Sequence, residues 1–386
     1  MAQFLSIAGD RIHHLALVSL LSSGADSAAN LAWLGVAMLL PSLLLSPFVG
    51  PLVDRWRLVS VLVVADALRA VVVAFMPQVA GVPAILSLVF VGFVLNCFFL
   101  PARSALPPQL VAEPNLLRAN ALLTLGGVAA TIVGSGFGGK IVDAIGWKNA
   151  LYLDAATFAI SAVMLSTLWG RTRPSPRRRP LRAGRYFVLV SAGLLFLARS
   201  PRARRAMLAS IGTWVGGGFL FVAGALHAQS APGRVGSIGA LMAVFAGGLA
   251  LSAGWAMTRR DISSRWALGG GLLGAAIGLA AFAASQTFWL MAGAALWTGL
   301  CVGPLLACAE TELQRAAGPR RRGRVFAGRD FGSRAAFLVS LGAAGALTPR
   351  CGAGLALLVG ALALAVIGTV AMTTHRNAAD RGSAVA

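Results

Sequence analysis

The chain has few charged residues and very few acidic ones. Of its 386 residues only 12% are charged, and 12 Asp and Glu stand against 33 Lys and Arg. Soluble globular proteins carry about a quarter charged residues, so this composition excludes an ordinary soluble protein. With 58% hydrophobic residues, the sequence predicts a polytopic membrane protein. The net charge of +21 would suit nucleic acid, but the arginines interrupt apolar runs, so we expect membrane topology and no nucleic-acid partner.

Cysteine is also scarce, and its spacing excludes two kinds of site. The cysteines stand alone, without C-x-x-C spacing or a histidine cluster, at Cys97, Cys301, Cys308 and Cys351. This pattern favours small packing residues over a disulfide framework or a metal site. The sequence also lacks a glycine-rich phosphate loop followed by lysine, and it has no soluble segment large enough for an active site. We therefore expect neither an enzyme nor an ATP-driven pump, and no cofactor.

Long apolar runs between short polar segments predict twelve membrane spans. They cover residues 2–22, 29–49, 58–77, 83–101, 119–139, 149–169, 205–226, 235–257, 266–284, 288–308, 335–349 and 355–373. Most basic residues fall on one side, and those on the other side are Lys140, Lys148, Arg234 and Arg350. The positive-inside rule then predicts that both termini are cytoplasmic. The opening segment lacks a basic start and a small-residue cleavage site, so we expect it to remain as the first span.

A basic stretch in the middle divides the spans into two groups of six. The predicted organisation is a first bundle at residues 1–170, a cytoplasmic linker at 171–204, a second bundle at 205–373 and a cytoplasmic tail at 374–386. The linker begins with a Pro- and Arg-rich segment for which we expect disorder, and Tyr186 to Leu197 predicts an amphipathic helix on the inner membrane surface. Four arginines near it would face anionic lipid: Arg199, Arg202, Arg204 and Arg205.

Four ionisable residues lie near the middle of the first span: Asp10, Arg11, His13 and His14. A charge at the bilayer centre costs about 2.5–3.5 kcal/mol on insertion scales, so these groups should face water or each other. Helical spacing puts Asp10 on the face of both histidines, and a histidine could carry a proton during a transport cycle. Two other interpretations stay open: Asp10 and Arg11 neutralise one another, or the true start lies earlier and shifts these residues outward.

Further charges lie inside or at the ends of later spans. Asp66 and Arg69 are one turn apart in the third span, and this spacing predicts a buried ion pair. Glu310 and Glu312 end the tenth span beside the basic cluster Arg315 to Arg334. We expect the part of this cluster from Arg320 to Arg334 to be a loop. There a gate salt bridge and a ligand contact fit the pattern equally well.

Several separate motifs, in order along the chain, resemble the major facilitator superfamily. The order G-x-L-x-D-R at Gly50 to Arg55 is similar to the loop signature of that superfamily. A-D-x-x-R-A around Asp66 and Arg69, and an aspartate at Asp154, resemble the macrolide-efflux and siderophore-exporter-like subgroup. The segments L-x-R-A-N-A before the fifth span and R-G-R-V-F at Arg322 to Phe326 resemble it as well.

This resemblance implies an all-α membrane protein with twelve transmembrane helices in two pseudo-symmetric six-helix bundles, working by alternating access. It implies gating residues on the cytoplasmic side, namely Gly50, Asp54, Arg55 and Arg57 with Glu310, Glu312, Arg322 and Arg324. The transported molecules would be amphipathic, such as drugs, macrolides or siderophores. We expect a monomer in the lipid bilayer that exports them on an ion gradient, with protons as the candidate ion.

Glycines recur in the fifth span. Gly134 and Gly138 form a G-x-x-x-G pair followed by Gly139, a pattern that lets two membrane helices come into backbone contact. We favour tight packing, because Ser135 stands where proton antiporters of the superfamily have a proline. A gating hinge is the second interpretation of the same glycines.

Two alternatives to an exporter stay open. The opening A-Q-F-L-S-x-x-G-D, Ala2 to Asp10, with P-F-V-G at Pro47 to Gly50, is similar to the bacterial lysophospholipid-transporter family, which moves a lipid across the inner membrane. The second alternative is a non-transporting scaffold or sensor on a decayed transporter fold. It rests on Leu58 and Val59, which stand where the loop signature normally has basic residues.

Overall fold

In the computed structural model the described residues are 2–23, 26–53, 56–112, 115–169, 183–229, 234–257 and 266–373. Within these ranges the regular structure is helical and no strand occurs, so the all-α prediction is confirmed. The chain divides into two compact units, residues 1–183 with 233–243, and residues 184–232 with 244–386. The finer division into bundles, a linker at 171–204 and a tail remains a prediction, and the Pro- and Arg-rich segment and the tail lie outside the described residues.

The first unit contains the helices α1 (Ala2–Leu21), α2 (Ser27–Val53), α3 (Leu58–Phe75), α4 (Val82–Ala105), α5 (Pro107–Leu110) and α6 (Leu116–Ser166). A 3₁₀ turn, Met76–Gln78, follows α3. Apart from the short α5, each helix grows from an apolar run as long as the bilayer requires. Within the unit α1 packs mainly against α6, and α3 lies against α4 and α6.

The helix α6 holds two membrane spans. Its 51 residues would form a straight helix about 76 Å long, against about 30 Å of hydrocarbon in a bilayer. Gly146 interrupts the helix with φ +78° and ψ 160°, a conformation that residues with a side chain rarely adopt. This break separates the fifth predicted span from the sixth.

The second unit contains α7 (Ala183–Arg199), α8 (Pro201–Phe219), α9 (Ala225–Ala228), most of α10 (Arg234–Met257), α11 (Gly271–Ala284), α12 (Phe288–Cys351) and α13 (Ala353–Thr373). The beginning of α10, residues 234–243, belongs with the first unit. Two π-helical turns, Leu220–Gly224 and Trp266–Gly270, precede α9 and α11. Ser200 caps α8, because its Oγ accepts a hydrogen bond from the backbone N–H of Ala203.

The helix α12 also holds two spans, although its 64 residues are helical from end to end. Arg329 forms an ion pair with Glu310, which precedes it by 19 residues. A straight helix would hold these residues about 28 Å apart, beyond the reach of both side chains. The helix therefore turns back between them, and the basic segment expected as a loop is a helical connection between the spans Phe288–Ala317 and Arg324–Cys351.

Large apolar side chains cover the outside of both units, as in a protein whose solvent is lipid. Exposed examples include Trp33, Phe137, Val163 and Trp289. In the described part of the chain eleven helical segments are long and apolar enough to cross a membrane. One of them, Leu125–Ser166, is the run broken at Gly146, so the spans number twelve. The predicted multi-pass membrane architecture is confirmed.

The predicted amphipathic helix is α7, and one of its faces packs on protein. Val190, Gly193 and Leu197 are buried, whereas Val188 and Leu195 are exposed. A Cβ on Gly193 would overlap the carbonyl group of Arg324, and a Cβ on Gly328 would lie 2.8 Å from the backbone nitrogen of Leu194. The backbone of α7 therefore touches the start of the eleventh span. We predicted that this helix lies on the inner membrane surface. The structure adds a contact between one of its faces and the protein.

Candidate functional site

Ionisable groups from three helices meet inside the first unit. They come from α1, α3 and the part of α6 that follows Gly146. At 1.5 Å per residue, Asp66 lies about 12 Å from the start of α3, and Asp154 lies about 12 Å beyond Gly146. These groups are therefore far from the ends of their spans, where a charge needs a partner.

His13 on α1 pairs with Asp154 on α6. His13 Nδ1 lies 2.9 Å from Asp154 Oδ2, and the Asp154 side chain is completely buried. The hydroxyl of Thr157 donates to the other carboxylate oxygen of Asp154 at 3.2 Å. One proton between imidazole and carboxylate then decides the charge of this pair, and bulk water does not reach the carboxylate.

Arg69 on α3 links two further carboxylates. Its Nη2 donates to Asp10 Oδ1 at 2.7 Å, and its Nη1 lies 3.6 Å from Asp66 Oδ1. Asp66 is fully buried and accepts a hydrogen bond from Ser161 Oγ at 2.6 Å, whereas 39% of the Asp10 side chain is exposed. The expected Asp66–Arg69 contact is thus present. Arg69, and not Arg11, supplies the hydrogen bond to Asp10.

Two aromatic rings flank the guanidinium group of Arg69. Its central carbon lies 3.9 Å from the ring centroid of Phe158 and 5.9 Å from that of Phe99. A cation over an aromatic face is attracted by the ring quadrupole, most strongly where water is excluded. The Phe158 ring therefore helps to hold the guanidinium between Asp10 and Asp66.

The sixth span has a polar face, and the sequence analysis identified only one of its residues, Asp154. Asp154, Thr157, Phe158 and Ser161 recur at intervals of three or four residues, so they line one side of α6. Each hydroxyl binds one of the two buried carboxylates. The pattern D-x-x-T-F-x-x-S inside an apolar run was the available signal, because hydroxyls at helical spacing from a carboxylate can share one face.

A glycine brings α1 close enough to α6 for the His13 contact. A Cβ on Gly9 would overlap both Thr157 Oγ1 and Asp154 Oδ1. Any larger residue at this position would push α1 away from the polar face of the sixth span. Gly9 is therefore part of the site, although it carries no functional group.

The glycines of the fifth span make contacts with two helices. A Cβ on Gly134 would lie 2.8 Å from the Cα of Ala8, and a Cβ on Gly138 would lie 3.2 Å from side chains of α1. A Cβ on Gly239 of α10 would lie 3.1 Å from the backbone nitrogen of Gly139. These positions are helix contacts in the structure, and a hinge role for them remains a hypothesis.

The remaining ionisable residues of α1 lie beside this network. His14 is buried. Arg11 is partly buried near Gly134, and its Nε has no hydrogen-bond partner among the residues that the structure describes. Arg11 thus adds a positive charge next to the carboxylates without bonding to them in the described structure.

The gating residues named by the loop signature lie partly outside the described chain. Gly50 is in the last turn of α2, and Arg57 is exposed and extended just before α3. Asp54 and Arg55 lie outside the described residues, and so does the side chain of Arg322. The structure therefore leaves the predicted gate of the first hairpin untested.

Ion pairs connect the end of the tenth span with the basic segment. Arg329 binds Glu310, and its Nη2 also lies 2.7 Å from Asp330 Oδ1. Glu312 lies 3.7 Å from Arg315 Nη1, and the predicted gate residue Arg324 is exposed. The sequence left two interpretations of these glutamates open, a salt bridge and a ligand contact. Both glutamates form ion pairs with arginine in the structure, as the salt-bridge interpretation expects.

The network in the first unit offers proton binding and ion pairing. Within the described ranges no group of three or more His, Cys, Asp or Glu side chains is placed to hold a metal ion. In the described structure none of the cysteines, Cys97, Cys301, Cys308 and Cys351, belongs to a disulfide. What the site can do is hold a proton, release it and change the net charge of a buried region.

Comparison with known proteins assigns the family. The profile of the Major Facilitator Superfamily matches residues 1–233. A crystal structure of a bacterial homologue of the human lysosomal transporter Spinster, in an inward-facing and unoccupied conformation, superposes with a TM-score of 0.74. The superposition covers 97% of this chain and 95% of that chain at 14% identity, which shows a shared fold.

Two curated bacterial proteins are similar over part of their length. The Bacillus subtilis (strain 168) protein named "Uncharacterized MFS-type transporter YfiS" is 25% identical over 201 residues, 52% of this chain and 48% of that protein. The lysophospholipid transporter LplT of Cronobacter sakazakii is 29% identical over 182 residues, 45% of this chain and 43% of that protein. The chain thus matches less than half the length of either relative. Because the profile covers more than half of its residues and its described helices include many apolar spans, the chain is a multi-pass membrane protein that belongs to the Major Facilitator Superfamily.

Proposed function

We propose that this chain exports amphipathic small molecules by alternating access and couples export to the uptake of protons. The observation that carries the proposal is the buried charge network of the first unit, in which His13 binds Asp154 and Arg69 links Asp10 with Asp66. A proton-coupled carrier needs a protonatable group inside the membrane that changes partners during the cycle. These residues supply such groups in the middle of their spans.

The charges near the middle of these spans do not balance. Three carboxylates, Asp10, Asp66 and Asp154, stand with two guanidinium groups, those of Arg11 and Arg69. One negative charge is left over unless a histidine or a carboxyl group carries a proton. An unpaired charge inside a membrane protein is costly, so the network favours binding of one proton.

Asp10 is the group at which we propose that the proton enters the network. Asp10 has 39% of its side chain exposed and shares Arg69 with the fully buried Asp66. Protonation of Asp10 would weaken its bond to Arg69 and leave the guanidinium to Asp66 alone. This exchange of partners links a proton from water to a change inside the bundle, and the transport cycle requires such a link.

The proposed setting is the inner membrane of a bacterium, with both termini cytoplasmic and the chain acting as a monomer. Basic residues concentrate on one side of the spans, which supports this orientation. One proton that crosses with a potential of 100 mV supplies about 2.3 kcal/mol, enough for coupled export of one solute. Asp54 and Arg55, with the basic segment before the eleventh span, would close the cytoplasmic side in the outward-facing state.

The second unit offers aromatic surface for the apolar part of a substrate. Trp214 and Phe221 both contact Phe337 edge to face, with ring centroids 5.3 Å and 6.1 Å apart. Edge-to-face clusters present broad apolar faces that adapt to flat or aliphatic groups. The cluster supports an amphipathic substrate without choosing among drugs, macrolides and siderophores.

A lysophospholipid is the second candidate substrate. The similarity to LplT over 182 residues supports it, together with the resemblance of the segment Ala2 to Asp10. A lysophospholipid is itself an amphipath with one apolar chain. It would therefore fit the same kind of cavity with a different polar group.

A paired assay separates the two substrates. Cells that overproduce the chain are tested for growth in the presence of macrolides and other amphipathic drugs, and inverted vesicles from the same cells are tested for movement of labelled lysophospholipid. Protection against drugs alone supports the exporter, and movement of labelled lipid alone supports the alternative. Neither activity, in membranes that contain the intact chain, would contradict both transport proposals and favour a scaffold or sensor.

A further inference from the structure

Arg205 has a different environment from the arginines around it. It lies in the second turn of α8, and only 5% of the residue is exposed. Arg199, Arg202 and Arg204 are exposed, in accord with the expectation that they face anionic lipid. The same expectation for Arg205 is wrong, because its position on α8 turns the side chain into the second unit.

The guanidinium group of Arg205 lacks partners in the described structure. Among the described residues, its Nε and Nη1 are buried without a hydrogen-bond partner, and no carboxylate lies within ion-pair distance. A buried ion without a counter-ion costs several kcal/mol, even after relaxation and water penetration. An anion bound at this position would offset that cost.

The side chains nearby make a small polar region at the end of the tenth span. The helix α8, which carries Arg205, packs against α12, which carries Cys308 and Glu312. Glu312 is already engaged by Arg315 at 3.7 Å, and its side chain is 12% exposed. Glu312 is thus paired with another arginine, while Nε and Nη1 of Arg205 have no partner among the described residues.

We propose that Arg205 binds the anionic group, a phosphate or a carboxylate, of the amphipathic molecule that the protein carries. The inference rests on the proposed function and narrows its substrate class to anionic or zwitterionic amphipaths. A planar guanidinium group binds phosphate or carboxylate through two parallel hydrogen bonds, and such charge-assisted bonds are roughly twice as strong as neutral ones.

Ligand binding to the purified full-length chain tests the site without any need for transport. The thermal midpoint of the protein in neutral detergent is followed against increasing lysophosphatidylglycerol, monoacylglycerol or inorganic phosphate. We expect stabilisation by the lysophospholipid and none by the monoacylglycerol, which has the same chain without the anion. If inorganic phosphate also raises the thermal midpoint, the anion itself is the ligand. If only the lysophospholipid raises it, binding requires the acyl chain as well as the anion.

Matched variants locate the binding. Arg205→Gln should weaken the lysophospholipid response at least about tenfold, whereas Arg204→Gln, the exposed neighbour, should leave it unchanged. Arg205→Lys keeps the positive charge but cannot form two parallel hydrogen bonds, so it should bind the lysophospholipid with intermediate strength. This variant replaces Arg205→Gln in the test if Arg205→Gln does not fold. Equal binding by the Arg204 and Arg205 variants would overturn the proposal.

Glu312→Gln distinguishes a ligand site from an internal ion pair. If Arg205 binds an external anion, loss of the neighbouring negative charge should leave the response to lysophospholipid intact or strengthen it. If Glu312 is the counter-ion of Arg205 in another state, the variant should lower the thermal midpoint and weaken the response, which would overturn the site. If lysophospholipid binding depends on Arg205 but the chain moves no solute, the proposed transport function is contradicted and the proposed binding site is not.

Discussion

At the scale of single residues, the hydroxyl groups of the sixth span decide whether the buried carboxylates are stable. Ser161 donates to Asp66 Oδ2 at 2.6 Å, and Asp66 is fully buried. A buried carboxylate oxygen that loses its donor keeps the whole desolvation cost of that atom. The hydroxyl group of Ser161 therefore stabilises the buried carboxylate of Asp66.

Replacement of Ser161 by alanine should destabilise the protein by about 1–3 kcal/mol, because Asp66 loses its hydroxyl donor. Ser166→Ala is the matched control, since Ser166 lies partly exposed at the end of the same helix and donates to the backbone carbonyl of Val163, not to a carboxylate. The free energy of unfolding in mixtures of sodium dodecyl sulfate and mild detergent measures both variants. Equal stability of the two would show that the hydroxyl of Ser161 does not support Asp66.

Replacement of Arg69 by lysine tests the bridge between two carboxylates. A single ammonium group cannot reach Asp10 and Asp66 as the guanidinium does, and it loses the stacking on Phe158. We expect a loss of about 1.5–3 kcal/mol in the free energy of unfolding, the range for a hydrogen bond to a charged group. The exposed Arg57→Lys is the control, and similar effects of both changes would contradict a bridging role.

The sequence could predict the local contacts of this site but not the distant ones. Asp66 and Arg69 are one turn apart, so helix geometry alone brings them together. His13 and Asp154 are separated by 141 residues, and their contact depends on Gly9 allowing α1 onto α6. Pairing at such a distance is a property of tertiary packing, which neither charge nor spacing encodes.

At the scale of helices, α7 combines a lipid-facing side with a protein-facing side. The contact between Gly193 and the segment Arg324 to Gly328 has no room for a side chain on either backbone. Arg329, which pairs with Glu310, directly follows that segment. The linker helix is therefore packed beside the predicted cytoplasmic gate.

A leucine at Gly193 should release α7 from α12. The new side chain would overlap the carbonyl group of Arg324, so trypsin should cleave after Arg199 roughly tenfold faster, as a loss of about 1.4 kcal/mol of docking free energy implies. Ser191→Leu adds the same side chain at an exposed position and should leave the rate unchanged. If both variants are cleaved like the unmodified protein, α7 is not held by this contact.

The positions of the membrane helices were predictable, because the length of an apolar run is a strong signal. The backbone conformation of the connections between the helices was not predictable. The break in α6 falls at Gly146, where a positive φ is needed, within the gap between two predicted spans. The turn between the tenth and eleventh spans is helical, although the arginines there suggested a loop. Arginine is a good helix former, and charge alone does not end a helix.

At the scale of the whole molecule, the proposed cycle requires a gate on the cytoplasmic side. We expect Asp54→Asn to insert and fold normally but to transport roughly tenfold more slowly, which corresponds to a barrier about 1.4 kcal/mol higher. The measurement is the rate of solute movement in membrane vesicles with equal amounts of each protein. Transport at the unmodified rate would remove Asp54 from the gate.

The central claim is that one proton, held by the network around His13 and Asp154, drives export. The most direct measurement is solute efflux from proteoliposomes after a pH gradient is imposed, with the substrate identified by the paired assay. The unmodified chain and Asp26→Asn, an exposed control, should respond to the gradient with faster efflux. Asp154→Asn should still exchange solute but no longer respond to the gradient. A full response to the gradient in Asp154→Asn would contradict the account.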